Sequence, residues 1–291
     1  MSMRVHHLNC ISTCPLGGRL MDGRSRSLLE RGHLACHCLL IETPDSLVLV
    51  DTGLGLRDVA DPQSRLSRFF LTLLRPEFRE QMTAVRQVER LGFDPADVRH
   101  ILLSHLEFDH AGGLDDFPNA TVHMLASERE HAVRQRSWLD RQRFRPQQWS
   151  TQPSWRTYGT EGGSRWNGFE GVRTPDGLPP EILMVPLPGH THGHAGIAVY
   201  TSGRWKFLAA DAYFHAGEMA STPVCPPGLR FYQWMMELDR DARLHNQDRL
   251  RALARGSRDV DIFCSHDIAE FEQLSGRSAG IPAEGFATPR L

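Results

Sequence analysis

Residues 104–113 read SHLEFDHAGG, and an apolar run, VRHILL at 98–103, leads directly into them. Within six consecutive positions this stretch holds four potential metal ligands: His105, Glu107, Asp109 and His110. A short apolar run of this kind is typical of a buried strand, and on its extended end alternate side chains would point to one side. Imidazole suits zinc and iron, and carboxylates suit harder ions such as manganese. The stretch predicts a metal site at a strand end; a polar loop tip is the alternative for the stretch taken alone.

Other strand ends carry the same residue types. Asp51 closely follows LVLV, His190 follows LMVPLP, Asp211 follows FLAA and His266 follows DIFC. Functional groups gather on loops that a rigid sheet holds in place, so we expect these ends to converge on one site. With Asp51 set aside, seven potential ligands exceed what one tetrahedral zinc binds, but they fit two metal ions that share a carboxylate.

Apolar runs alternate with helical patterns along the chain. The strand-like runs are 34–42, 47–50, 98–103, 121–125, 181–187, 196–200, 205–210 and 260–264. Apolar residues spaced by three within 80–91 favour a helix, a second helix is expected over 236–255, and Ser127 with Glu130 predicts a capping box. Both halves hold strands followed by helices, which predicts an α/β fold with two sheets face to face and helices outside.

We predict a single domain over residues 1–291, with an N-terminal extension at 1–33 and an insertion at 138–176. The insertion lacks periodicity and holds four of the six tryptophans: Trp138, Trp149, Trp155 and Trp166. A long structureless connection is a functional lid or a disordered segment, and the tryptophans argue against disorder. We therefore expect the insertion to roof the site. Six arginines against three acids at 128–145 indicate a solvated face, or alternatively a surface that steers an anionic substrate.

Composition excludes several classes of function. The 33 basic and 35 acidic residues give a net charge of −2, so there is no general attraction to nucleic acid or to an anionic membrane. No stretch approaches the ~20 apolar residues that span a bilayer. The polar N-terminus holds no secretory signal, and six cysteines are too few for a disulfide scaffold. We expect a cytoplasmic protein with free thiols that acts on a small molecule.

The ligand pattern resembles that of the metallo-β-lactamase superfamily. Residues 105–110 match its H-x-H-x-D-H signature, except that Glu107 stands where a second histidine is common, and residues 188–194 match its PGHTxGH element. Asp51-Thr52-Gly53 is similar to its early strand-end motif, and SHLEFDHAGG looks most like the quorum-quenching lactonase branch. The resemblance, which covers about residues 34–270, implies an αββα four-layer sandwich and two divalent metal ions.

Carried over position by position, the resemblance implies a ligand set. It comprises His105, Glu107 and His190 at the first metal, Asp109, His110 and His266 at the second, and Asp211 as the bridge. Asp51 is expected to orient a ligand histidine. His194 is expected to support the loop that carries His190, and His192 to face solvent or substrate.

The resemblance also implies an activity. A metal-bridging hydroxide would attack a lactone or ester carbonyl, Asp109 would orient this nucleophile, and Tyr213 would donate to the oxyanion or leaving group. Three alternatives stay open: a hydrolase of the same fold acting on a thioester, phosphodiester or β-lactam, a di-iron redox protein similar to flavodiiron centres, and a non-enzymatic binding member. Residues before about 34 are a possible homodimer surface.

Glu107 has a consequence for charge. Two divalent ions and a hydroxide would be balanced to neutrality by the three carboxylates of the set, whereas the common histidine would leave one positive charge. A neutral centre should polarise a carbonyl less and lower the pKa of water less. The family favours zinc, and Glu107 predicts a bias toward iron or manganese.

Overall fold

The computed structural model describes residues 3–152 and 154–279. The N- and C-terminal ends of the predicted 1–291 domain therefore lie outside the described residues. The described part forms twelve strands: β1 Arg4–Asn9, β2 His37–Glu42, β3 Leu47–Val50, β4 Val98–Leu102, β5 Thr121–Leu125, β6 Trp155–Tyr158, β7 Ser164–Trp166, β8 Phe169–Val172, β9 Ile182–Pro186, β10 Ala195–Thr201, β11 Arg204–Leu208 and β12 Val260–Phe263. It also forms twelve α-helices: α1 Arg19–Asp22, α2 Leu56–Ala60, α3 Pro62–Arg65, α4 Arg68–Leu74, α5 Ala84–Arg90, α6 Phe108–Ala111, α7 Ala126–Arg134, α8 Trp138–Arg143, α9 Pro146–Trp149, α10 Pro227–Met236, α11 Arg240–Gly256 and α12 Ile268–Ser275.

The first sheet has six strands in the order β1-β2-β3-β4-β5-β6. The predicted hairpin is present, since β2 pairs antiparallel with β3 and Leu39 lies opposite Val50. Strands β3, β4, β5 and β6 then run parallel. The carboxyl ends of β3 and β4 therefore lie side by side, which places Asp51 next to the stretch that begins at Ser104.

Alternation along the strands separates two cores. Leu39 and Ile41 of β2 face the core between the sheets, whereas Cys38 and Leu40 face the outer core, which includes α5. Successive strand residues point to opposite faces, so a strand apolar on both faces is buried on both sides. Burial of this kind requires a layer on each face of the sheet.

The second sheet supplies the other half of the sandwich. Its order is β12-β11-β10-β9, and Met184 and Ile197 face the first sheet. The opposite face packs against α11 through Leu250 and Leu253. The predicted αββα arrangement is confirmed: helices lie outside two facing sheets.

The insertion at 138–176 is not a structureless lid. It holds α8, α9 and three strands, and β6 adds to the edge of the first sheet beside β5. Trp149 and Trp155 pack against the outer core of the first sheet, and Trp166 packs against that of the second. The expected tryptophan roof is wrong for these three rings, which pack against the two cores; the fourth, Trp138, is largely exposed and contacts Phe69.

The helix expected over 236–255 is present as α11, which begins four residues later, at Arg240, and is preceded by a separate helix, α10. They are separated at Leu238 and Asp239, whose backbone N–H groups both donate to the Gly189 carbonyl at 2.9 Å. The Asp239 carboxylate then caps α11 by accepting from Ala242 N at 2.9 Å. The break thus connects these helices to the loop that carries His190.

The six cysteines are free, as expected, and Cys36 and Cys38 are buried. Among the described residues, no helix combines the length and apolarity that crossing a membrane requires.

Candidate metal centre

Loops at strand ends bring the seven predicted ligands together. They lie in two groups whose ligand atoms are within 4.8 Å of one another: His105, Glu107, His190 and Asp211 in the first group, and Asp109, His110 and His266 in the second. All seven side chains are buried. The division is the one that the ligand assignment predicts, with Asp211 in the first group.

Asp211 also reaches the second group. Its Oδ2 lies 3.5 Å from His190 Nε2 and 3.2 Å from His266 Nε2. Its Oδ1 lies 3.3 Å from His110 Nε2. One carboxylate therefore faces histidines of both groups, which is the position of a bridging ligand.

Several buried atoms of the two groups have no hydrogen bond. Four of them are His105 Nε2, Asp109 Oδ1, His110 Nε2 and Asp211 Oδ1. Leaving a buried polar atom without a partner costs about 1–3 kcal/mol, so four in one place require an explanation. Histidine nitrogens and carboxylate oxygens facing one another fit a site for metal ions.

Charged neighbours shift the pKa values of the buried carboxyl groups and of His266. Burial by itself raises the pKa of Asp211, but His266 and then His110 outweigh it and hold that pKa well below its usual range. Burial by itself lowers the pKa of His266, but Asp211 outweighs it and raises the pKa to about 9. Burial raises the pKa of Asp109, with His110 and His266 opposing the rise.

Asp51 has the positioning contact expected of it. Its Oδ2 accepts from His110 Nδ1 at 2.8 Å, and its two oxygens accept from Ser104 Oγ at 2.7 Å and Ser104 N at 2.8 Å. The residue holds a left-handed backbone conformation, with φ at 54°, which is rare outside glycine. This carboxylate fixes the His110 ring with Nε2 toward the centre.

His194 has a structural role, as predicted. Its Nδ1 lies 3.0 Å from the Leu187 carbonyl and its Nε2 accepts from Asp211 N at 3.0 Å. Burial lowers the pKa of His194 to about 3, so the ring is neutral and can accept this bond. His192 is exposed beside His131 and does not belong to either group.

The glycines after His110 allow a close approach between two segments of backbone. Gly112 continues the helical backbone of α6 with φ at −63°. A Cβ at Gly112 would lie 2.8 Å from the Gly53 carbonyl, and one at Gly113 would lie 2.9 Å from the Thr52 carbonyl. The absence of side chains lets α6 press against the Asp51 loop.

Glu128 is a site residue that the sequence interpretation missed. It is buried, and its carboxylate accepts from Leu106 N at 2.9 Å and Thr191 Oγ1 at 2.5 Å. Glu128 therefore connects the His105 loop to the His190 loop.

The predicted capping box of Ser127 and Glu130 is wrong, because α7 begins at Ala126 without a side-chain cap.

Tyr213 does not take the predicted catalytic position. Its hydroxyl donates to Glu270 Oε1 at 2.9 Å, and its ring packs in the outer core of the second sheet. Tyr232 of α10 is buried near the two groups: its ring centre lies 5.9 Å from that of Phe214, and Phe214 in turn contacts the rings of His190 and His266. Burial raises the pKa of Tyr232 well above its usual range, and Glu107 and Asp109 add to the rise. Among the described residues no hydrogen bond engages the Tyr232 hydroxyl, and no local pattern in the sequence marked this tyrosine.

Arg143 is the third residue that local patterns did not reveal. We expected its arginine-rich run to be a solvated face, yet this guanidinium is fully buried at the centre. Its Nη2 contacts Glu107 Oε1 and lies 3.1 Å from His190 Nε2. Burial by itself raises the pKa of Glu107, but Arg143 first and then His190 hold it well below its usual range.

The sequence matches a known family model over most of its length. The model described as the metallo-beta-lactamase superfamily matches residues 31–266. A protein of Mycobacterium tuberculosis named "probable metallo-hydrolase" is 38% identical over 266 residues, which cover 91% of this chain and 80% of that protein. An N-acyl homoserine lactonase of Bacillus thuringiensis is 25% identical over 260 residues, covering 88% and 92% of the two chains.

Solved structures show the same fold. A Bacillus thuringiensis AiiA variant with N-decanoyl-L-homoserine bound at its active site superposes with a TM-score of 0.70 at 21% identity. The superposition covers 96% of this chain and 98% of that one. An N-acyl homoserine lactone hydrolase with its product bound at the catalytic metal centre gives a TM-score of 0.69. The likeness extends over nearly the whole of both chains.

Proposed function

The chain belongs to the metallo-beta-lactamase superfamily and is a metal-dependent hydrolase, and we propose that it cleaves a lactone or ester at a centre of two metal ions. The observation that carries the proposal is the position of Asp211 between two groups of ligands. Such a carboxylate is suited to two ions close together, which can hold both the attacking group and the substrate oxygen.

Each residue has a distinct task in this proposal. Bound metal ions lower the pKa of water and polarise a carbonyl. His105, Glu107 and His190 would hold the first ion, Asp109, His110 and His266 the second, and Asp211 both. Asp109 keeps Oδ1 free of hydrogen bonds, so this oxygen can accept a proton from the attacking water. Tyr232, whose hydroxyl is not engaged, would donate to the substrate oxygen.

The substrate class rests on similarity and on charge. The relatives at 25–29% identity are N-acyl homoserine lactonases, and the fold is that of lactonase structures. A net charge of −2 does not favour a nucleic-acid substrate. We therefore propose a small neutral or weakly charged lactone or ester.

A panel of substrates tests this function. The protein would be incubated with lactones of different ring size and acyl length, simple esters, a thioester, a phosphodiester and a β-lactam, with a pH indicator reporting acid release. Lactone or ester turnover that is lost after chelation and restored by added zinc is the expected result. Turnover confined to the phosphodiester or the β-lactam would contradict the proposal.

Tyr232→Phe is expected to lower kcat by about 10²-fold, since loss of one donor to a developing oxyanion costs about 10²–10³-fold. KM and metal content should change little. Tyr213→Phe is the matched control, because its hydroxyl is bonded to Glu270, and it should keep nearly full kcat. Steady-state kinetics of the two variants decide between the tyrosines, and equal kcat values would remove Tyr232 from the mechanism.

Asp51→Asn is expected to weaken metal affinity by about 10–100-fold, the usual effect of losing a partner that orients a ligand. The amide cannot accept from Ser104 N, Ser104 Oγ and His110 as the carboxylate does. Competition with a fluorescent zinc chelator measures the affinity. Asp94→Asn, at an exposed helix cap, serves as the control, and an unchanged affinity in Asp51→Asn would rule out the positioning role.

The donor set bears on which metal ions the centre would prefer. Histidine nitrogens are suited to zinc and iron, and the extra carboxylate oxygen of Glu107 is suited to iron or manganese. We propose zinc as the family's usual metal, with iron or manganese competing at the position of Glu107. Elemental analysis of protein purified without added metal tests the bias, and two stoichiometric zinc ions without iron or manganese would refute it.

A further inference from the structure

The guanidinium of Arg143 is held rigidly beside the first ligand group. Its Nη1 donates to the Met236 carbonyl at 2.7 Å, and its Cζ lies 5.4 Å from the centre of the Phe144 ring. The side chain is fully buried. A buried cation persists only where an anion compensates it, and here the anion in contact is Glu107.

The two oxygens of Glu107 face different partners. Oε1 contacts the guanidinium, whereas Oε2 lies 3.7 Å from His105 Nε2 and 3.4 Å from His190 Nε2. One oxygen is therefore engaged by Arg143, and the other lies among the ligand atoms of the first group. A carboxylate divided in this way can bind an ion through one oxygen only.

We propose that Arg143 is a positioning residue of the metal centre: it holds Glu107 as a one-oxygen ligand of the first metal ion and cancels its charge. The inference rests on the proposed function, because it assumes two bound ions. Two divalent ions, a hydroxide and three carboxylates sum to neutrality, and the guanidinium restores one positive charge. The centre then has the charge that the H-x-H-x-D-H pattern gives without any arginine.

The geometry explains why arginine is used here. In the planar guanidinium, Nη1 donates to the Met236 carbonyl and Nη2 contacts the Glu107 carboxylate. A lysine ammonium is a point charge on a flexible stem and does not fix two acceptors in one plane. Arg143→Lys is therefore expected to keep the charge but to hold Glu107 less firmly.

The test is the number of zinc ions that each variant retains. Each protein is loaded with excess zinc, desalted and examined by elemental mass spectrometry. Wild type is expected to hold two ions per chain, and Arg143→Met about one, because affinity at the first position falls about 10–100-fold. The double variant Glu107→His/Arg143→Met is expected to regain two ions, since a neutral histidine needs no cation. Arg143→Lys should lie between wild type and Arg143→Met.

Arg141→Met is the matched control, since Arg141 lies exposed on the same helix α8, and it should retain two ions. Thermal unfolding confirms that each variant is folded, and the double variant guards against a general loss of stability. If Arg143 served only to stabilise the fold, the double variant would retain as few zinc ions as Arg143→Met. That result would overturn the inference.

Two further results separate this inference from the proposed function. Two ions in both wild type and Arg143→Met would overturn the role of Arg143 and leave the binuclear centre intact. One ion in wild type and two in Arg143→Met would mean that the guanidinium occupies the place of a metal ion. That outcome, or a wild type without zinc, would overturn both proposals.

Discussion

An Asp211→Asn protein is expected to hydrolyse its substrate about 10³-fold more slowly than wild type, because metal ions contribute several kcal/mol to the transition state and ~1.4 kcal/mol is a factor of ten. It should also retain less than one metal ion per chain. Of the three carboxylates in the two groups, Asp211 faces histidines of both, with oxygens 3.2–3.5 Å from three ring nitrogens. An amide of the same shape offers one weak oxygen ligand in its place.

The measurement combines kcat/KM with metal content in the same preparation. Asp45→Asn, the same substitution in an exposed turn, should leave both quantities unchanged. If Asp211→Asn retained two ions and its activity, the ligand groups would have to work without a bridge, and the proposed centre would be wrong.

Removing one member of the buried Glu107–Arg143 pair is expected to lower the free energy of unfolding by about 3–5 kcal/mol. In Glu107→Gln the guanidinium keeps the Met236 carbonyl but loses its anion. In Arg143→Met the carboxylate remains buried among other acids. Melting temperatures should fall by roughly 10 °C, since 1 kcal/mol shifts a chain of this size by about 2–4 °C.

The double variant Glu107→Gln/Arg143→Met separates the contribution of the ion pair to stability from the separate contributions of its two side chains. Burying two charges is itself unfavourable, so removing both members together should recover most of the loss. Thermal unfolding in the presence of a chelator measures the four proteins without any contribution from metal. If the losses in the double variant simply added, the two side chains would act independently and the ion pair would not be the source of stability.

The pair also changes the expectation about charge at the centre. From the sequence, Glu107 predicts a neutral centre that polarises a carbonyl weakly. In the proposed centre, the Arg143 guanidinium in contact with Glu107 would make the local charge positive again, while the oxygen donor of Glu107 would remain. On this proposal the Glu107 oxygen would affect which ion binds, and the guanidinium would affect how strongly a bound ion polarises the substrate.

Local sequence was sufficient to predict candidate ligands, and the residues that position them, where these lie close along the chain or follow a strand. The stretch around His105 indicates four candidate ligands because they lie within six residues, and the apolar run before them ends at the sheet edge. The hairpin and the two facing sheets were predicted from the order of apolar runs and helical patterns, and the αββα layers from the resemblance. Asp51 was expected to orient a ligand histidine, and the structure identifies that histidine as His110.

Local sequence was insufficient where a helix end or an insertion had to be placed. The tryptophans of 138–176 were expected to form a roof, but a large ring packs where it can cover apolar area, and for three of the four that place was one of the two cores. Tyr213 lies two positions after Asp211, and yet its side chain turns away to Glu270. Nearness in sequence to Asp211 did not place the Tyr213 hydroxyl at the centre.

What the sequence by itself determined is the family and a set of candidate ligands that includes the extra carboxylate of Glu107, because these are carried by residue types in short motifs that follow strands. Only the tertiary structure brought Arg143 and Tyr232 to that set. Both lie on helices, α8 and α10, that reach the centre from separate parts of the chain. A long-range contact of this kind depends on how helices pack over the sheets, and the apolar periodicity that positions a helix does not state which of its charged side chains will be buried against another charge.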